Sequence, residues 1–269
     1  MSFFPLADLH THTDSSPDSQ APIESMCRAA LELGLPALAV TDHVEMTGFL
    51  ADGYDQSSER SYTQAIDMQE RFAGRLEILA GVELGEPIFD PERSARLLAD
   101  HAYDFVLGSI HNLEDGVDYY HVDYASADID ALLDEYFRAE LELVEMGGIH
   151  SLAHLTYPMR YMPENKRPAD TRRWQDVIDT MFRRMAERGI ALEINTSGLR
   201  QAIGLTSPDL PLIRRFRELG GENITLGSDA HRPEDVGAGL ETAAALAMEA
   251  GFRHVCLFRA GKPVYVRIG

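Results

Sequence analysis

Residues that can bind metal ions stand at intervals along this 269-residue chain, each at the end of a short apolar run. Six of the ten histidines have this placement, together with the carboxylates Glu83 and Asp229. Crowded imidazoles and carboxylates are desolvated and repel one another unless cations lie between them. Imidazole and carboxylate without cysteine suit Zn, Fe(II) or Mn and do not distinguish among these metals. The pattern therefore predicts a divalent metal site. The six histidines are His10, His12, His43, His111, His154 and His231.

Spacing within two of these groups supports a shared site. His10 and His12 are two residues apart, and Asp229 and His231 repeat that spacing. In an extended strand, residues two apart point to the same face, so the two side chains of each pair leave the strand on the same side. Glu83 has two oxygens, and a central glutamate can bridge two ions with one oxygen on each.

Arginines near the same segments indicate an anionic ligand. Arg160 follows His154, and Arg200 follows the sixth apolar run. The chain has 24 basic and 44 acidic residues, a net charge of -20. Two arginines near the predicted metal ligands are therefore more informative than they would be in a basic protein. Because the planar guanidinium matches phosphate oxygens, Arg160 and Arg200 are predicted to bind phosphate. Arg232, directly after His231, is a weaker candidate.

The elements that must position these residues alternate between strands and helices. This order is typical of βα units around a parallel sheet, and the reactive groups of such folds lie at the carboxyl ends of the strands. An open doubly wound sheet is the alternative, but no GxGxxG-type loop follows the first strand. The predicted strands are 6–10, 37–42, 77–83, 105–110, 149–153, 191–195 and 224–227. The predicted helices are one from Pro22 to about Gly34, then 59–72, 94–101, 128–146, 171–188, 208–219 and 233–250.

One domain over residues 1–269 is expected, with 254–268 as a terminal strand pair around Gly261. The chain contains no run of 18 apolar residues and begins without a basic signal-like segment, so neither a membrane span nor a signal peptide is predicted. Its two cysteines, Cys27 and Cys256, fit buried thiols in a reducing cytoplasm. The acidic charge disfavours nucleic acid and anionic membranes, so the expected partner is a small molecule, bound by a monomer or a homodimer.

Six motifs carry a family resemblance. HTHTDSSPD (10–18), TDH (41–43), GVE (81–83), GSIH (108–111), AH (153–154) and GSDAH (227–231) occur in the order of the polymerase-and-histidinol-phosphatase (PHP) family, which the chain resembles from residue 8 to about 240. The resemblance implies an α/β fold, a distorted seven-stranded (β/α)7 TIM-like barrel of PHP type. It also implies three divalent ions (Zn, Fe or Mn), with Asp18 as the ninth ligand.

The resemblance further assigns each ligand to an ion. His10, His12, Glu83 and Asp229 hold the first, Glu83, His111 and His154 the second, and Asp18, His43 and His231 the third. Arginines in the two loops of Arg160 and Arg200 are typical of the histidinol-phosphatase branch. The implied reaction is hydrolysis of L-histidinol phosphate to L-histidinol and phosphate in histidine biosynthesis.

Our mechanistic hypothesis has a hydroxide that bridges two ions attack phosphorus, because two arginines alone cannot supply the acceleration that phosphate monoester hydrolysis needs. Glu83 organises the pair of ions, and Arg160 and Arg200 clamp the phosphate. Asp229, His231 or water protonates the leaving group. Two alternatives stay open: a PHP phosphoesterase for another small phosphate ester (nucleotide, sugar phosphate or oligonucleotide end), and a metal-binding module without catalysis.

Three further features are weighed as supporting ones. Asp42 and Glu193 are candidates for carboxylates that orient a metal-binding histidine. The long loop 112–124 is a candidate contact for the leaving group through 119–121, which reads Tyr-Tyr-His.

Overall fold

A parallel sheet forms the centre of the computed structural model, which describes residues 6–269. Strands β1, β3, β4, β5, β6 and β7 pair in that order, all parallel, and β2 also pairs with β3. Strands β1 and β2 therefore follow one another along β3, with a break at 41–42. The strands are β1 (Ala37–Val40), β2 (His43–Glu45), β3 (Glu77–Gly85), β4 (Phe105–Ser109), β5 (Ser151–Leu152), β6 (Ala191–Asn195) and β7 (Ile224–Gly227).

The segment 6–12 joins the two edges of this sheet. It is extended but is not a regular strand, because it makes only isolated bridges, Asp8 with Leu38 on one side and Thr11 with Ala230 on the other. Backbone hydrogen bonds alternate between the two edges, since the Asp8 amide donates to the Ala37 carbonyl at 3.2 Å. The Leu9 amide donates to the opposite edge. The predicted distorted seven-stranded β/α barrel is confirmed, with the prediction of a regular first strand replaced by this closing segment.

Seven α-helices accompany the strands, and each predicted helix is present. Helix α2 begins five residues before the predicted start, and α7 begins seven residues after it. Gly237 and Gly239 both have positive φ in the segment predicted as the start of α7, so the chain turns there before the helix begins. The helices are α1 (Ile23–Glu32), α2 (Tyr54–Arg71), α3 (Pro91–Asp100), α4 (Ile129–Met146), α5 (Gln175–Arg188), α6 (Leu210–Glu218) and α7 (Leu240–Glu249). None of them, within residues 6–269, combines the length and apolarity that crossing a bilayer requires.

The predicted terminal strand pair closes one end of the barrel. Strands β8 (His254–Arg259) and β9 (Lys262–Arg267) form an antiparallel hairpin. Its buried side chains pack inside the barrel against residues at the amino ends of the strands, and the Phe258 ring stacks on Phe105 at 5.3 Å and on His150 at 5.0 Å. Because apolar side chains fill this end, polar chemistry is confined to the carboxyl ends.

Helix α4 carries a glutamate on its buried face. Glu140 is fully buried. Burial raises the pKa of its carboxyl group to about 8 from 4.5, and the Tyr136 hydroxyl and His111 offset this only in part. The pKa of Glu140 is thus higher in the folded than in the unfolded state. The contribution of its protonated carboxyl group to the free energy of unfolding is therefore complete below about pH 4.5 and is lost as pH rises towards about 8.

We expect Glu140→Gln to remove this pH dependence. The melting temperature of the variant minus that of the wild type should increase by about 3–5 °C per pH unit between about pH 5 and pH 8, and level off above about pH 9. Circular dichroism melts across this range measure the difference. Glu142→Gln, on the exposed face of the same helix, should give a flat difference. A flat difference for the Glu140 variant as well would contradict the assignment.

Candidate metal centre

All nine residues predicted to bind metal lie together at the carboxyl ends of the strands. His43 begins β2 and Glu83 lies within β3, whereas the other residues stand on the closing segment or on loops that follow strands. His10 and His12 are fully buried, and only Asp18 and His231 have substantial exposure. Sequence positions from 10 to 231 thus meet at one rim of the barrel. The residues off the strands are His10, His12, Asp18, His111, His154, Asp229 and His231.

The fully buried carboxylate of Glu83 is the centre of the group. Its Oε2 lies 3.0 Å from His10 Nε2 and 3.4 Å from His12 Nε2. Its Oε1 lies 2.8 Å from His154 Nε2 and 3.2 Å from His111 Nε2. The two oxygens therefore face two different sets of imidazoles, as a carboxylate that bridges two ions must.

Two aspartates complete the group on the side away from His154. Asp229 Oδ1 lies 3.4 Å from His12 Nε2. Asp18 Oδ2 lies 2.9 Å from His231 Nε2 and 3.6 Å from His43 Nε2. Asp229 has a φ of 55°, a left-handed conformation that is strained for aspartate and typical of functional sites.

The charges of the group favour bound cations. Burial alone would raise the pKa of Glu83, but His10, His43 and His111 hold it well below its usual value. Burial lowers the pKa of His10, but Glu193, Glu83 and Asp229 outweigh burial and raise it well above its usual value. Carboxylates that stay ionised in a buried site need positive charge beside them, which protons or metal ions can provide.

The donor atoms fit divalent ions. Burial, with His231 and His43 nearby, lowers the pKa of His12 to about 3, so its imidazole is neutral. Its Nε2 is buried and has no hydrogen-bond partner among the described residues. Ligands of a tetrahedral zinc ion, each about 2.1 Å from the metal, lie about 3.4 Å from one another. The imidazole nitrogens around Glu83 lie 2.8–3.4 Å from its oxygens, at or somewhat below this separation.

Two histidines are oriented by carboxylates behind the centre. Glu193 Oε1 lies 2.7 Å from His10 Nδ1, and its Oε2 accepts a hydrogen bond from the His154 amide at 2.9 Å. Glu45 Oε1 lies 2.9 Å from His111 Nδ1. A carboxylate that accepts a hydrogen bond from Nδ1–H keeps the hydrogen on that nitrogen, so Nε2 has a free lone pair to bind an ion. Glu193 was a sequence candidate for this role.

Two further carboxylates near the centre, Glu45 and Glu86, were not among the residues predicted from the sequence. Glu45 contacts both His111 and His43, at 2.9 and 3.1 Å. Glu86 accepts hydrogen bonds from the His111 and Asn112 amides at 2.5 and 2.8 Å and so fixes the loop after β4. His43 and Glu45 are two residues apart, the spacing that revealed His10 and His12, so Glu45 could have been found in the same way. Nothing in the sequence marks Glu86.

The predicted arginines differ in their surroundings. Arg160 is buried, and its Nη1 lies 3.3 Å from Asp229 Oδ2. Its guanidinium lies over the Tyr157 ring at 4.9 Å, and its Nε and Nη2 have no partner among the described residues. Arg200 donates from Nη2 to the Ser228 carbonyl at 2.7 Å. Arg232 is 75% exposed, so of the three arginines Arg160 has buried donors to offer an anion.

A cavity of about 250 Å³ opens beside the centre. Its lining is acidic and aromatic. Loop 112–124 contributes Asp118 to it, whereas Tyr119 packs in the core against Tyr136 and Tyr120 is exposed. Of this loop, Asp118 is therefore better placed than 119–121 to meet a ligand. The lining includes Asp18, Glu45, Asp52, Tyr54, Asp118 and Tyr157.

The chain is similar to one protein family, to curated relatives and to a solved structure. The model of the PHP domain matches residues 8–197. A probable histidinol-phosphatase of Thermotoga maritima is 30% identical over 88% of both chains. The histidinol-phosphatase of Lactococcus lactis is 28% identical over 93% of both. The crystal structure of histidinol phosphate phosphatase from L. lactis, complexed with zinc, L-histidinol and phosphate, is similar with a TM-score of 0.84, 25% identity, and coverage of 97% of this chain and 99% of that one.

We expect removal of divalent ions with a chelator to lower the melting temperature by about 10 °C, and zinc to restore it. The reason is that an ion bound to the folded state alone stabilises it by about 4 kcal/mol at a free concentration 1,000 times its Kd. Thermal melts with and without zinc measure this shift. Glu83→Gln should reduce the gain from zinc, whereas Glu92→Gln, on the surface, should not. Equal melting temperatures for chelated and zinc-loaded wild type would exclude a stabilising metal centre.

Proposed function

Because the chain belongs to the PHP domain family, we propose that it hydrolyses L-histidinol phosphate to L-histidinol and phosphate with the help of divalent metal ions. The family resemblance predicted from the motifs is confirmed. The chain is a phosphoric monoester hydrolase. It is similar over most of its length to relatives that are named as histidinol-phosphatases. Histidinol phosphate as the substrate, the number of ions and the mechanism form the proposal.

The observation that most strongly supports the proposal is the contact between the guanidinium of Arg160 and the metal centre. Arg160 touches Asp229, and its Nε and Nη2 are buried donors without a partner within residues 6–269. Buried donors without a hydrogen-bond partner are costly, so a site of this kind is suited to an anionic ligand. The similar L. lactis structure holds zinc, L-histidinol and phosphate.

We assign three ions, one to each group of ligands. His10, His12, Glu83 and Asp229 would hold the first. Glu83, His111 and His154 would hold the second, and Asp18, His43 and His231 the third. Bound divalent ions supply a nucleophile near neutral pH and neutralise charge on the phosphate oxygens.

The chain's own groups have separate tasks in this proposal. Arg160 donates to the phosphate from Nε and Nη2, and stacking on Tyr157 keeps its guanidinium in place. Arg200 is the second proposed phosphate contact, from the loop after β6. Glu83 holds the ligands around it in register, and the candidates for giving a proton to the leaving alkoxide are Asp229, His231 and water.

The acidic cavity favours a cationic leaving group. Histidinol carries an ammonium group, which Asp52 and Asp118 can neutralise where they line the cavity. A nucleoside monophosphate brings no such positive charge to balance these carboxylates. This argues against a nucleotide as the substrate, and a net charge of -20 argues against an oligonucleotide.

Cys27 and Cys256 are both buried and unpaired, which fits a reducing cytoplasm. We propose a small phosphorylated molecule as the partner of a cytoplasmic enzyme, monomeric or homodimeric.

We expect the purified, metal-loaded protein to release phosphate from histidinol phosphate at least about 100 times faster, in kcat/KM, than from a nucleoside monophosphate or an aryl phosphate. Two decades correspond to about 2.7 kcal/mol of additional transition-state binding, which a few charged contacts to the leaving group can supply. A phosphate-release assay on the three substrates measures the ratio. Similar slow turnover of all three would favour another phosphate ester, and no turnover with any metal would favour a non-catalytic module.

We expect Arg160→Ala to lower kcat/KM by about 10²–10³-fold, because a buried donor to the transferring phosphate is lost. Metal content, measured by mass spectrometry, should stay unchanged. Arg232→Ala is the matched control, since Arg232 is exposed and pairs with Asp235, and it should stay within about twofold of the wild type. Loss of metal from the Arg160 variant would show that this arginine supports the centre instead of the phosphate.

A further inference from the structure

The buried carboxylate of Asp42 orients a metal-binding histidine indirectly. Asp42 stands directly before His43, yet it faces the loop that follows His12. Its Oδ1 accepts from the Thr13 amide at 2.5 Å and from Ser16 Oγ at 2.9 Å. Its Oδ2 accepts from Thr13 Oγ1 at 2.8 Å and from Ser61 Oγ at 2.6 Å. All of these partners are donors, so Asp42 acts only as an acceptor.

The Ser16 hydroxyl has all of its hydrogen-bonding capacity in use. Its single hydrogen is donated to Asp42, because an ionised carboxylate can only accept. The His43 amide lies 3.1 Å from Ser16 Oγ and can only donate, so it takes one lone pair. The remaining contact is with His12 Nδ1 at 3.0 Å. The one free lone pair of Ser16 can make this contact only if Nδ1 carries a hydrogen.

This arrangement leaves Nε2 of His12 without a hydrogen. Nε2 is the atom that faces Glu83 and Asp229, at 3.4 Å from a carboxylate oxygen of each. A serine alone would not decide between the two tautomers, because a hydroxyl can either donate or accept. Asp42 removes that freedom by taking the hydroxyl hydrogen.

We propose that Asp42 and Ser16 are positioning residues, which hold the proton of His12 on Nδ1 through the direction of one hydroxyl and so keep Nε2 available as a metal ligand. The inference rests on the metal centre proposed above and is independent of the substrate. At His10 and His111, the carboxylates of Glu193 and Glu45 accept the hydrogen bond from Nδ1 directly. At His12 the carboxylate of Asp42 acts through the Ser16 hydroxyl, which lies between it and the imidazole.

Zinc affinity distinguishes the direction of the hydrogen bond from the charge of Asp42. Ser16→Ala should require a 10–100-fold higher free zinc concentration for full occupancy. Ser61→Ala removes a hydroxyl from the same carboxylate but lies outside the chain of contacts, so it should shift occupancy less than about threefold. Asp42→Asn should behave like Ser61→Ala, because an amide oxygen at the Oδ1 position still accepts from Ser16 while the hydroxyls at Oδ2 can turn to accept from the amide.

These titrations use equilibrium dialysis against zinc buffered by a chelator, followed by metal analysis of the full-length protein. Unchanged occupancy in Ser16→Ala would overturn the proposal. Equal losses in Ser16→Ala and Ser61→Ala would assign the effect to packing around Asp42. A loss in Asp42→Asn as large as that in Ser16→Ala would assign it to charge. Either of the last two outcomes also overturns the proposal.

The tautomer itself can be observed in the metal-free protein, so failure of the metal or substrate assignments does not affect this test. Nitrogen-15 NMR of histidine-labelled protein should show His12, identified by its absence from His12→Ala, protonated at Nδ1. In Ser16→Ala the proton should move at least in part to Nε2. Protonation at Nε2 in the wild type would overturn the proposal, whatever the titrations show.

Discussion

The structure depends on the attraction between one fully buried carboxylate and the positive charge it needs. Glu83 has five imidazole nitrogens of different histidines within 3.4 Å of its oxygens, and it stays ionised where burial alone would protonate it. Water cannot supply the missing stabilisation in such a site, so cations must. The surrounding residues hold these imidazole nitrogens close to Glu83, and they do so without a disulfide or a large apolar contact among the histidines.

The barrel provides that support by separating its two ends. The hairpin β8–β9 fills the amino ends of the strands with apolar side chains, whereas the carboxyl ends carry the polar groups. The segment 6–12 bonds to both edges of the sheet and places His10 and His12 at the seam. The same backbone hydrogen bonds therefore close the barrel and position His10 and His12 at the centre.

Proton placement is the second constraint, because an imidazole binds an ion only through a nitrogen without hydrogen. Glu193 and Glu45 meet this requirement for His10 and His111. For His12 the requirement passes through a hydroxyl to Asp42. Arg160 brings a positive charge to the same rim of a strongly acidic chain.

The sequence by itself determined the βα order of the elements and eight of the candidate ligands, because strand periodicity and the ends of parallel strands carry that information in one dimension. The ninth ligand, Asp18, and the PHP type of the barrel followed from the family resemblance of the motifs. Even Glu45 stood at a spacing that could have revealed it. Tertiary structure alone decided the rest. The partner of Asp42 is Ser16 and not the adjacent His43, Glu86 fixes the loop of His111, and the first strand is a closing segment instead of a regular strand. Each of these depends on hydrogen bonds between residues far apart in sequence, whose donors and acceptors meet only once the barrel has closed.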